Sequence, residues 1–155
     1  DVAPSPAWGA GLIFATMDGA QLMAIKPDGS GDVTASHIAW TAEDGMPDTS
    51  SPVCDGKRLL QAAAGGFLTC FDAATGKKVW EHYLEGGQTA SPIVANGLVY
   101  LAGDDGTTRI FKLDGPAFAL ADRGELGEQQ FATPAFGDAK IYIRGEKNLF
   151  AIGSK

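Results

Sequence analysis

Basic clusters, paired cysteines and long apolar runs are what this 155-residue chain lacks. Its 12 lysines and arginines stand against 19 aspartates and glutamates, a net charge of −7, and no basic run exceeds the pairs Lys57-Arg58 and Lys77-Lys78. That balance argues against a nucleic-acid ligand, whose phosphates call for a concentrated positive face. The two cysteines, Cys54 and Cys70, sit in no Cys-x-x-Cys or Cys/His pattern, so a structural zinc centre has no ligand set. No apolar stretch approaches the roughly 20 residues of a membrane-spanning helix. Long helices are disfavoured as well, because 21 glycines and 8 prolines punctuate the chain.

What is present is a core-forming composition cut into short pieces. Hydrophobic residues make up 45% of the chain, and a chain of this length buries roughly 70% of its unfolded surface in one core. Ser5-Pro6, Ser51-Pro52, Ser91-Pro92 and Thr133-Pro134 each precede a short apolar strand, with the prolines 46, 40 and 42 residues apart. Trp40 and Trp80 each stand 12 residues before one of these prolines, so a second landmark keeps the same register.

Within each period the same series of strands and turns can be read. The first unit runs through Ala7-Trp8, a turn at Gly9-Ala10-Gly11, Leu12 to Ala15, a turn at Asp18-Gly19, Gln21 to Ile25, and a last strand around His37 to Trp40. The third lacks tryptophan in its last strand, read at Ala117 to Leu120, and Phe118 or Leu120 is expected to take that place. The fourth ends one strand short. The units span about 5–46, 51–88, 91–128 and 133–153. A four-stranded unit recurring every ~40 residues predicts an all-β propeller of about four antiparallel blades, the last without its outer strand. A sandwich of short strands would explain the turns but not the recurring Ser-Pro and Trp landmarks.

One stretch carries more than periodicity. In Phe71 to Trp80, Asp72 and Thr75 can accept hydrogen bonds from the amides that follow, Gly76 can take a positive φ, and Trp80 supplies a large flat packing surface. Cys70-x-Asp72-x-x-Thr75-Gly76-Lys77-x-x-Trp80 resembles the tryptophan-docking motif of the PQQ-like propeller repeats, with cysteine for the usual alanine at its first position. That family includes quinoprotein dehydrogenases and the BamB outer-membrane assembly lipoprotein. The resemblance, which covers nearly the whole chain, looks like the C-terminal half of such a protein. It implies a bacterial, periplasmic or otherwise extracytoplasmic setting and gives Asp72, Thr75, Gly76, Trp80 and Trp40 the role of docking one blade on the next.

Its implication for activity is a non-catalytic scaffold for protein binding or assembly, with no cofactor expected. Under the alternative of a quinoprotein dehydrogenase, pyrroloquinoline quinone (PQQ) with calcium would be needed; a sensor domain of a signalling protein is a further alternative. The adjacent Cys-Cys pair usual beneath the quinone is absent. Cys54 and Cys70 fall in non-neighbouring strands, roughly 9 to 10 Å apart and too far for a disulfide, so two buried free thiols are expected. The arc is expected to be part of a larger ring. Asp1 to Pro4 is too short and Pro-containing to supply the missing strand, and a second copy or an N-terminal half would cover the open faces.

Other candidates read as structure. His37 and His82 flank the tryptophans without local partners for metal or catalysis. Asp104-Asp105-Gly106 reads as a hairpin turn rather than a calcium loop, because Thr107-Thr108-Arg109 breaks the ligand spacing. The loops that differ between units, Glu43 to Ser50, Glu85 to Gln88 and Asp122 to Gln130, are the expected places for a protein partner; Asp122, Arg123, Glu125 and Glu128 read either as a partner-binding rim or, more commonly for such residues, as a solvated charged loop.

Overall fold

The computed structural model describes residues 4–16 and 21–153; the turn expected at Asp18-Gly19 and the residues before Pro4 lie outside them. The described residues contain strands and turns and no helix. Four antiparallel sheets follow one another along the chain. The first is β1 (Ala7–Gly9), β2 (Leu12–Thr16), β3 (Leu22–Ile25) and β4 (Ile38–Ala42), and the second is β5 (Val53–Cys54), β6 (Arg58–Ala62), β7 (Phe67–Asp72) and β8 (Lys78–Tyr83). The third is β9 (Ile93–Ala95), β10 (Leu98–Ala102), β11 (Thr107–Phe111) and β12 (Leu120–Glu125). The fourth has three strands, β13 (Ala135–Gly137), β14 (Lys140–Arg144) and β15 (Leu149–Ile152). In every sheet the strands lie in chain order, so each is a meander, the form of a propeller blade.

Local chemistry sets the hairpins. The first two strands of blades one, three and four are joined by two residues with positive φ, Ala10-Gly11 (50° and 74°), Asn96-Gly97 (52° and 74°) and Asp138-Ala139 (51° and 57°). Such turns match the twist of the strands they join.

Side chains alternate between the two broad faces of each blade, and the core lies between blades. Leu59, Phe71 and Ala73 of the second blade pack against Leu12, Phe14, Leu22 and Ala24 of the first. From its other face Leu60, Ala62, Leu68, Cys70 and Trp80 meet Val99, Leu101, Phe111 and Leu113 of the third. Residues such as Leu59, Leu60 and Leu101 are wholly buried. Covered on both faces, the middle strands read as continuous apolar runs rather than an alternating pattern.

The first three blades each shift register once between their last two strands, at Ala24/Ile25, Cys70/Phe71 and Ile110/Phe111. The shift places Trp40 opposite Ala24, Trp80 opposite Cys70 and Asp122 opposite Ile110. This corrects the reading of the third unit. Its outer strand begins at Leu120 rather than Ala117, neither Phe118 nor Leu120 takes the tryptophan position, and Asp122 does. The cause is the longer connection after Phe111, where Pro116 cannot donate to a ladder and Ala117 to Ala119 stay outside the strand.

Candidate functional site

The turn after β7 is closed by its own side chains. Asp72 Oδ1 accepts hydrogen bonds from the Thr75 amide at 3.1 Å and hydroxyl at 2.8 Å, while Arg58 donates to Oδ2 at 2.9 Å. The Gly76 amide donates to the Asp72 carbonyl at 2.9 Å, and Gly76 has φ 72°. The Thr75 hydroxyl, followed by the Thr75 amide and the Arg58 guanidinium, outweighs partial burial and holds the Asp72 carboxyl below its ordinary value.

The indole seated on this turn is that of Trp40, from the preceding blade. A Cβ at position 76 would lie 2.6 Å from two of its ring carbons, and its Nε1 donates to the Ala73 carbonyl at 3.1 Å. The ring lies 5.7 Å from Phe14 and 6.4 Å from Phe71. Trp80 instead points to the third blade, where Phe118 meets it edge-on at 6.1 Å and its Nε1 is buried without a partner. The motif therefore serves two joints. Asp72, Thr75 and Gly76 receive the first blade, and Trp80 docks on the third.

The recurring serines form a second inter-blade link. Ser5 N–H donates to Ser51 Oγ at 2.9 Å, Ser51 N–H to Ser91 Oγ at 2.9 Å, and Ser91 N–H to Thr133 Oγ1 at 3.0 Å. Each hydroxyl accepts from the start of the preceding inner strand. The sequence shows these residues recurring 46, 40 and 42 apart but not that they bond to one another.

In the second and third blades the loop from the outer strand to the next inner strand shares one rim with the turn between the two middle strands. Leu84 N–H donates to Gly66 O at 2.8 Å, Gln88 N–H to Ala64 O at 3.3 Å, and Leu126 N–H to Gly106 O at 3.1 Å. Between blades two and three, Asp104 accepts from the Thr89 amide at 3.0 Å and hydroxyl at 2.9 Å. Between blades three and four, Glu128 accepts from Asn148 N–H at 2.9 Å and Nδ2 at 3.1 Å and from Lys147 N–H at 3.3 Å. Glu128 thus belongs to a joint, and Asp122, Arg123 and Glu125 lie in β12 rather than in a loop. They are exposed on the outer strand because the ladder with β11 extends to the pair Thr107 and Glu125. On the rim itself Glu43, Asp44, Asp48 and Glu85 are exposed.

The remaining candidates find local partners. His37 Nδ1 lies 2.7 Å from Ser36 Oγ and its Nε2 3.6 Å from Asp28 Oδ1, whereas His82 stacks on Phe118 at 4.1 Å. Asp104 to Gly106 forms the expected turn, with Asp105 paired to Arg109 at 2.9 Å. Cys54 and Cys70 are both free, Cys70 buried and Cys54 only half-buried, which corrects the expectation of two buried thiols. Burial pushes the Cys70 thiol up to about 12. Sequence reasoning did not single out three wholly or almost wholly buried amides, Gln61, Gln88 and Gln130.

Among the described residues no three His, Cys, Asp or Glu side chains gather in a metal-binding group, and Cys54 and Cys70 do not form a disulfide.

Comparison with known proteins places the chain. The family model for outer membrane protein assembly factor BamB matches residues 31–152. No curated protein matches the sequence. Among solved structures, BamB from Moraxella catarrhalis superposes with a TM-score of 0.76 at 16% identity, over 97% of this chain and 46% of that one. The computationally designed Ika4 protein superposes with a TM-score of 0.70 at 12% identity, over 96% of this chain and 89% of that one. The designed Ika8 protein gives 0.70 at 11%, over 95% and 45%. At these identities the superpositions establish the fold alone, and the chain spans about half the length of the BamB it matches. With four meander blades, the docking turn and a family match over most of its length, this chain belongs to the PQQ-like, BamB-type β-propeller repeat family.

Proposed function

We propose that this chain is a non-catalytic propeller scaffold that binds protein partners in an extracytoplasmic compartment. One observation carries the reading. The residues that recur from blade to blade join blades to one another, while the exposed segments Glu43-Asp44, Asp48-Thr49 and Glu85-Gly86, which differ between blades, lie on the loop rim outside those joints. Loops held on a rigid repeat are suited to recognition. The outer faces of the first and fourth blades, with Trp8 62% and Leu149 69% exposed, are covered in this reading by a second copy or by an N-terminal half that completes the ring.

The test exchanges the exposed rim segments Glu43-Asp44, Asp48-Thr49 and Glu85-Gly86 for Gly/Ser and compares capture of proteins from an extracytoplasmic extract. A partner retained by the native chain and lost on exchange is the expected result. The same protein mixed with PQQ and calcium should give no dye-linked alcohol oxidation. Retention unchanged by all three exchanges, or dye reduction above background, overturns the proposal.

A further inference from the structure

We propose that the joint between the third and fourth blades is a binding site for a planar aromatic group of about the size of indole. Across the first sheet Phe14, Ala24 and Trp40 face one another, and across the second Leu60, Cys70 and Trp80. In both, the tryptophan closes the joint to the next blade. The corresponding row in the third sheet is Tyr100, Ile110 and Asp122. Asp122 is exposed and leaves the joint without its flat ring.

A cleft of about 140 Å³ lies at this joint, walled by Tyr100, Ile110 and Gly124 on one side and Ile141, Ile143 and Ile152 on the other. The sheet registers align its walls with the docking slot of the first joint. Tyr100 stands where Phe14 does, and Ile152, opposite Ile141, stands where Phe71 does opposite Leu59; Phe14 and Phe71 are the two rings that flank Trp40. An apolar cavity of roughly 150 Å³ accepts a benzene ring, so the space takes the six-membered ring of an indole, with the fused ring extending toward the opening. It opens beside a wider cleft of about 650 Å³ that shares Tyr100, Ile141 and Ile152.

A polar handle stands next to the apolar walls. Thr108 also lines the cleft and accepts from Gln130 Nε2 at 3.4 Å. Gln130 is wholly buried and its Oε1 has no partner. The Thr108 hydroxyl is the acceptor on the cleft wall itself, and it favours a ring that carries an N–H, as Trp40 does when it donates to Ala73.

The experiment titrates free indole into the protein and follows the isoleucine methyl signals by NMR. Ring-current shifts at Ile110, Ile141 and Ile152 that saturate with a dissociation constant of about 1 mM or tighter are expected. Asp122→Trp, which restores the docking residue, should abolish those shifts and raise the melting temperature. Gly124→Leu is a second blocking variant: a Cβ there meets nothing within 4 Å, and the leucine would fill the slot. The peptide Gly-Trp-Gly identifies the source of the ring. Binding about tenfold tighter than indole supports the site as a receptor for a partner's tryptophan, and weaker binding supports a free aromatic molecule. Absence of saturable shifts at these methyls, or indole binding untouched by both substitutions, overturns the proposal.

Discussion

If Gly76 is glycine because the indole of the preceding blade rests on it, Gly76→Ala should be coupled to Trp40 and not to Trp80. Two costs arise in the single variant. An alanine held at φ 72° loses about 1–2 kcal/mol, and its Cβ, 2.6 Å from the Trp40 ring, has to displace the indole. Trp40→Ala alone should cost about 3 kcal/mol, the low end for a tryptophan truncation because the ring is only half-buried. In the double variant the steric cost has gone and the φ cost remains. The combined loss should therefore fall short of additivity by about 1–2 kcal/mol, within the range for residues in contact. Pairing Gly76→Ala with Trp80→Ala should be additive within about 0.5 kcal/mol. Urea unfolding followed by far-UV circular dichroism reads all five variants without relying on tryptophan emission. Coupling to Trp80 instead, or additivity in both cycles, would refute the division of the motif between two joints.

Other consequences follow from the same contacts. The Asp72 carboxyl lies below its ordinary value in the folded chain, so its stabilising effect is full above the ordinary aspartate range near 3.9 and fades as pH falls toward the folded value. Asp72→Asn should be less stable than the native chain at pH 7, with the gap closing below about pH 4; a gap constant with pH would contradict this. Gln61 is wholly buried with both amide atoms unpartnered, and the third blade carries Leu101 at that place. Gln61→Leu should raise stability by about 1–3 kcal/mol in urea unfolding, the cost of an unsatisfied buried polar group, whereas a loss would mean that the amide has a partner. At pH 8 a thiol-specific dye should label Cys54 slowly and leave Cys70 untouched until denaturant is added. Labelling of both in the native state, or of neither in denaturant without reductant, would contradict the free, unequally buried thiols.

The fold was legible because the strongest signals repeat. Pro6, Pro52, Pro92 and Pro134 set the period, and Trp40 and Trp80 keep the same register 12 residues before two of them. What was illegible is what depends on the neighbouring blade. Nothing local to Asp72-x-x-Thr75-Gly76 says that its indole arrives from 36 residues earlier in the chain. Contact across a joint is set by which face each strand presents, and that is fixed by the bulge at Ala24/Ile25 rather than by sequence distance. The same cause hid the role of Asp122, since counting from the Trp80 pattern fails when the preceding connection lengthens. Gln61 was invisible for another reason: in a strand buried on both faces, a polar residue has no exposed side to occupy.

The central claim is that these blades form an arc that a ring must complete, presenting loops for recognition. Sedimentation of the 155-residue chain over a wide concentration range tests it most directly. Association into a species of at least two copies is expected, reversed by substituting charged residues for the exposed Trp8 and Leu149. A well-folded 16.1 kDa monomer that persists at high concentration would contradict it.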